Sequence, residues 1–128
     1  MPKTPPAKAG RSKGGLTPKQ IDAACRALPG VTMDVLWGAD EVYKVGGRMF
    51  AVIGSGGTLS FKANDVAFEM LCETGAARPA PYAAKNKWVL FDDTGTVAAD
   101  ELRQYLAMAH QLVAAKLSGK LRKALGVA

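Results

Sequence analysis

From Val31 to Lys62 apolar and polar residues alternate with a period of two, and glycines interrupt the alternation. That period puts successive side chains on opposite faces of an extended chain, which commits the segment to strands rather than helices. Four strands are predicted: Val31 to Trp37, Glu41 to Val45, Arg48 to Ile53 and Thr58 to Lys62. Gly46-Gly47, between two alternating runs, permits the positive φ angles of a tight hairpin, whereas Gly54-Ser55-Gly56-Gly57 is long enough to be a mobile loop. Strands joined so closely form an antiparallel meander. The glycine-rich loop has a strand and not a helix behind it, so it is not expected to cradle phosphate.

On both sides of this segment the period lengthens. Thr17 and Pro18 supply a cap and a first helical residue, Ile21, Ala24, Cys25 and Leu28 share one face, and Pro29-Gly30 ends the helix. Asn64 caps a second helix, Asp65 to Thr74, stopped by Gly75, in which Val66, Phe68, Met70, Leu71 and Cys72 are expected to leave little exposed surface. Arg78 to Tyr82 contains two prolines and reads as an irregular connector, followed by a strand from Lys87 to Asp92 and an Asp93-Thr94-Gly95 turn. The last helix is predicted from about Ala98 to Leu117, with Leu102, Leu106, Ala109, Val113 and Leu117 along one stripe. This order gives an α+β fold of two layers, with helices packed on one face of a largely antiparallel sheet.

The net charge of +6 is unevenly spread. Residues 1–15 hold Lys3, Lys8, Arg11 and Lys13 and no acid; residues 116–128 hold Lys116, Lys120, Arg122 and Lys123 and no acid. The nine basic and eleven acidic residues between them leave the body slightly acidic. The expected organisation is a basic tail over 1–15, a domain over 16–118 and a basic C-terminal tail over 119–128. Flexible cationic segments neutralise phosphates and release counterions, a grip that weakens as salt rises. No apolar run approaches the roughly 20 residues of a membrane-spanning helix, and the N-terminus lacks the apolar middle of a signal peptide. A cytoplasmic monomer without membrane contact is expected. Two cysteines, Cys25 and Cys72, each within a helical pattern, fit buried thiols in a reducing compartment.

The chemistry-bearing residues do not form a catalytic set. His110 is the only histidine, and one imidazole cannot build a zinc site or a nucleophile and base pair. Asp40-Glu41 and Asp92-Asp93 are adjacent acids at predicted turns, where neighbouring side chains diverge. No enzyme activity, cofactor or metal is therefore expected. Cations make a richer set: Lys44, Arg48, Lys62, Arg78, Lys85 and Lys87 stand beside aromatic residues or glycines in the strands and connectors, a mixture suited to phosphate contact and stacking. Lys44 and Arg48 would flank one hairpin tip.

Several of these segments, in this order, resemble the YjbR/MmcQ family: Ala27-Leu-Pro-Gly-Val-Thr32, Val42-Tyr-Lys-Val-Gly-Gly-Arg-Met-Phe-Ala51, Leu59-Ser-Phe-Lys62, and Arg78-Pro-Ala-Pro-Tyr82 leading to Lys87-Trp-Val89. The resemblance implies a CyaY-like fold and a proposed role in DNA binding through a double-wing surface. It points to Lys44, Arg48 and Lys62 on the sheet and to Arg78, Tyr82, Lys87 and Trp88 in the connector and the strand after it. Where many relatives carry an Asn-Lys-Lys-His-Trp type of word, this chain reads Lys85-Asn-Lys-Trp-Val, without the histidine. DNA is thus the expected partner. The alternative is a small-ligand or protein-interaction module with a pocket lined by Trp37, Tyr82 and Trp88. A frataxin-like metal role would need an acidic ridge, and the first helix offers only Asp22.

Overall fold

A computed structural model describes residues 15–54, 56–81 and 83–127. Helix α1 (Pro18–Arg26) begins with a reciprocal cap. The Thr17 hydroxyl accepts from the Gln20 backbone N–H at 3.1 Å, and the Gln20 side-chain oxygen accepts from the Thr17 N–H at 2.9 Å. The four strands of the meander are β1 (Val31–Leu36), β2 (Asp40–Val45), β3 (Arg48–Ile53) and β4 (Leu59–Lys62). Helix α2 (Asp65–Glu73) follows, capped by Asn64, then β5 (Arg78–Pro79), β6 (Trp88–Phe91), α3 (Ala99–Ala114) and α4 (Gly119–Leu125). Single 3₁₀ turns occupy Ala84–Asn86 and Thr94–Thr96.

All neighbouring strands pair antiparallel in the order β1-β2-β3-β4-β6-β5. Val45 pairs with Arg48 across a two-residue loop whose glycines have φ of +59° and +82°, the twist that matches a right-handed ribbon. A shift of register at Tyr43/Lys44 leaves Phe50 as the extra residue of a β-bulge. One face of the sheet supplies Tyr43, Val45, Ala51, Ile53, Leu59, Phe61, Val89 and Phe91 to the core. The helices cover that face with Ile21 and Cys25 of α1, Ala67 and Leu71 of α2, and Leu102, Leu106, Ala109 and Val113 of α3. This is the two-layer α+β arrangement expected from the period changes. His110 is 4% exposed; its Nε2 donates to the Pro29 carbonyl at 2.7 Å and its ring meets Phe50 edge-on, so it ties α3 to the end of α1.

Three expectations are corrected. Residues 119–128 are not simply a tail: Ser118 Oγ accepts from the Leu121 N–H, α4 ends at Gly126 with φ of +75°, and Val127 is buried in the core. In α2, Val66 is 74% and Met70 48% exposed, because this short helix lies along β5 and β6 and turns only its Ala67 and Leu71 side inward. The proline-rich connector begins as an edge strand, where Pro79 sits without breaking a ladder. Residues 1–14, Ser55 and Tyr82 lie outside the described residues.

Candidate nucleic-acid interface

Because neighbouring strands run in opposite directions, residues far apart in sequence meet at each end of the sheet. One end is formed by the C-termini of β2 and β4 and the N-termini of β3 and β6. That end carries Lys44, Arg48, Lys62, Lys85 and Lys87. Arg48 is exposed beside the glycine turn, and no acid among the described residues pairs with it. Lys85 is exposed on the 3₁₀ turn before β6. Lys44 bridges to Asp34 of the neighbouring strand at 3.1 Å. Lys62 Nζ donates to the Asn86 carbonyl at 2.8 Å, and partial burial, reinforced by nearby Lys116, pulls its pKa below the usual lysine value. Lys87 adopts φ of +64° and holds its ammonium 5.0 Å from the centre of the Phe68 ring.

The sixth predicted cation is elsewhere. Arg78, on edge strand β5, grips Asp92 with two hydrogen bonds of 2.8 and 3.3 Å. The pair holds the Asp92 carboxyl below the usual range, but both partners are well exposed, so it stabilises the fold little.

The C-terminal cations approach the same end as the strand cations. A Cβ on Gly46 would come within 2.7 Å of the Leu117 side chain, so the end of α3 rests on the hairpin turn. Gly30, just before β1, lies against Leu125 at the far end of α4. Residues 116–125 therefore run along this end of the sheet. The opposite end carries Asp40 and Glu41 at the start of β2, Asp92 and Asp93 after β6, and Asp100 and Glu101 in the first turn of α3. Acids near the basic end include Asp34, held by Lys44, Asp65, in the first turn of α2, and Glu69, next to the Phe68 that Lys87 contacts. A body that is slightly acidic in sum is thus polarised. Sequence reasoning missed this, although the signal was available: each of the five cations lies at or beside a strand terminus, and an antiparallel meander fixes which termini coincide.

The predicted aromatic pocket is not assembled. Trp37 is in the β1–β2 turn at the acidic end, 65% exposed with φ of +51°, while Trp88 begins β6 at the basic end, with β3 and β4 between. Tyr82 is outside the described residues. A groove of about 450 Å³ between α1 and α3 is lined by Gln20, Ala23, Ala24, Ala27, Leu28 and Arg103, without an aromatic side chain.

One partly buried polar cluster stands apart from the sheet cations. The Tyr43 hydroxyl donates to Asp22 at 2.6 Å, and Arg26 Nε donates to the same carboxylate oxygen at 2.8 Å. Burial alone would raise the Asp22 pKa; the two hydrogen bonds outweigh it and lower it. Burial and the bond to Asp22 push the Tyr43 phenol well above its ordinary value. Burial, with Asp22 nearby, pushes the Cys25 thiol up to about 12, which leaves it a poor nucleophile. No group of three His, Cys, Asp or Glu able to hold a metal is found among the described residues.

No curated protein sequence matches the chain. The crystal structure of the Deinococcus radiodurans protein DR2400, which carries the DUF419 domain, is similar to it: identity is 28%, the TM-score 0.77, and the match covers 88% of this chain and 89% of that one. The YjbR family model matches residues 26–112, from the last residue of α1 into α3 and so across the whole sheet. The chain belongs to the YjbR family.

Proposed function

We propose that the chain is a small non-enzymatic protein that binds DNA at the basic end of its sheet, with the β2–β3 hairpin as a wing against the duplex. The observation that carries the reading is the convergence of Arg48, Lys62, Lys85 and Lys87 at one end while the acids of β2, β6 and α3 gather at the other. A duplex presents a phosphate charge about every 1.7 Å along its axis, so one end of a polarised body is enough to hold it. A major groove about 12 Å wide admits a two-stranded ribbon of this kind. Arg48 is the strongest contributor expected, being exposed at the tip and unpaired among the described residues; Arg78, engaged with Asp92, is the weakest. Among the described residues no helix is long and apolar enough to cross a membrane; a cytoplasmic monomer remains part of the proposal. The separation of Trp37 from Trp88 disfavours the alternative of an aromatic ligand pocket.

Fluorescence anisotropy with a labelled duplex and a labelled single strand tests the proposal. Binding of the duplex at low salt and micromolar protein is expected, with log K falling against log salt at a slope of about −3 to −4 if four phosphates are neutralised. Failure of both probes to bind at low salt would overturn it.

A further inference from the structure

From Leu102 to Ala128 the chain contains no acid. Within α4, Leu121 and Leu125 are four residues apart on one side, and Leu125 packs on Gly30. Lys120 and Lys123 project from the other side and are exposed, as is Lys116 just before the helix. None of these three lysines forms an ion pair among the described residues. A seven-residue helix does not persist by itself in water. This one is fastened: Arg122 Nη1 donates to the carbonyls of Ala115 at 3.1 Å and Leu117 at 3.0 Å, where the last turn of α3 leaves acceptors unfilled, and Val127 enters the core. The fastening holds Lys116 near Lys62 and carries Lys120 and Lys123 from the hairpin turn toward Gly30, a run of like charge whose self-repulsion a bound anion would relieve.

We infer that α4 is the second arm of the polyanion site, with Lys116, Lys120 and Lys123 contacting backbone phosphates of the same duplex that the hairpin engages. This rests on the DNA-binding reading above. Arg122 is excluded from the contact set because its guanidinium already serves the α3 carbonyls. A basic amphipathic helix can also lie on an anionic membrane, but that mode needs a free apolar face. Here Leu125 is packed against Gly30, and Leu121, 37% exposed, is the one large apolar side chain α4 still offers.

The salt dependence of duplex binding decides the matter. Three proteins are compared by anisotropy: wild type, the Lys116→Gln/Lys120→Gln/Lys123→Gln variant, and a Lys19→Gln/Arg103→Gln control whose cations lie on α1 and α3. Glutamine keeps good helix propensity, and far-ultraviolet circular dichroism verifies the fold. With three contacts from α4 added to the four of the sheet, the wild-type slope is expected at about −6; the triple variant should lose about 0.9 from its magnitude for each phosphate contact removed, so about 2 to 3 in all, while the control keeps the wild-type slope. A triple variant with the wild-type slope would overturn the inference and leave the hairpin reading standing. An equal loss in the control would overturn it as well, since the effect would then be one of net charge. Wild-type protein that fails to bind the duplex at low salt removes both readings. Tighter binding to phosphatidylserine vesicles than to the duplex would replace this inference with a membrane surface.

Discussion

The two ends of the sheet are built from the same turn chemistry and loaded in opposite ways. At the basic end a two-glycine turn is pressed against Leu117, and a helix is strapped across the strand termini. At the acidic end the β1–β2 turn stands clear: a Cβ on Gly38 would meet nothing within 4 Å, and Trp37 projects into solvent in a left-handed conformation. Charge has been sorted by strand direction, and these two turns differ in packing as well. Gly46 is therefore expected to be intolerant of change and Gly38 permissive.

The comparison breaks most readily at its glycines. Gly46→Ala combines a left-handed backbone with a 2.7 Å approach to Leu117, and should destabilise the fold by about 2–4 kcal/mol from strain and overpacking together. Gly38→Ala carries the backbone strain alone and should cost about 1–2 kcal/mol. Urea denaturation midpoints for the pair test this; equal losses would show that the turn–helix contact does not discriminate the two ends.

Tyr43→Phe probes the polar cluster beside α1. Loss of a hydrogen bond to an ionised carboxylate should cost about 1.5–3 kcal/mol, reduced somewhat because Asp22 is partly exposed. The sign with pH is fixed by the direction of the Asp22 shift. A carboxyl whose folded pKa is depressed stabilises above its unfolded value, near 3.8, and that stability is lost as pH falls through the folded value. In Tyr43→Phe the folded pKa moves up toward the unfolded one, so urea melts between pH 7 and pH 2 should show a shallower acid limb than wild type. A limb of unchanged depth would mean that Arg26 alone sets the shift.

Trp37→Asn should stabilise the protein by about 0.5–1 kcal/mol, since asparagine tolerates the left-handed region and little buried surface is lost. A lower melting temperature in this variant would show that the Trp37 ring has a partner in the fold. The smallest effects concern binding. Arg48→Gln should lower the salt slope for a duplex by about 0.9, and Arg78→Gln should leave it unchanged. If the two variants behave alike, the polarity of the sheet does not govern where anions bind.

How much of this was legible in the sequence depends on where each element gets its stability. β2, β3 and β4 were readable because their own alternation determines which side faces the core, and the Gly46-Gly47 pair specifies the turn. α4 was missed although Ser118 and Gly126 are readable caps, because seven residues do not stay helical by themselves; Gly30 and the α3 carbonyls hold them, and both lie outside the segment. In α2 apolar residues occur on every side, so the sequence gives no basis for choosing Ala67 and Leu71 as the inward pair over Val66 and Met70. Each site cation except Arg78 was named at a position the basic end contains. Their convergence was missed because charge was counted by segment when strand direction decides who meets whom. The imagined pocket failed for the same reason in reverse: Trp37 and Trp88 are both aromatic and both near turns, but the turns are at opposite ends.

The two edges of the sheet are also unequal. β5 is two residues long and contains Pro79, which has no N–H to offer an incoming strand, whereas β1, the other edge among the described residues, extends over six residues and leaves Val35 59% exposed. A sheet that can be extended on one side only has no way to propagate. Any pairing through β1 would consume both free edges and stop at two molecules, so crowding could yield a dimer from this sheet but not a fibre.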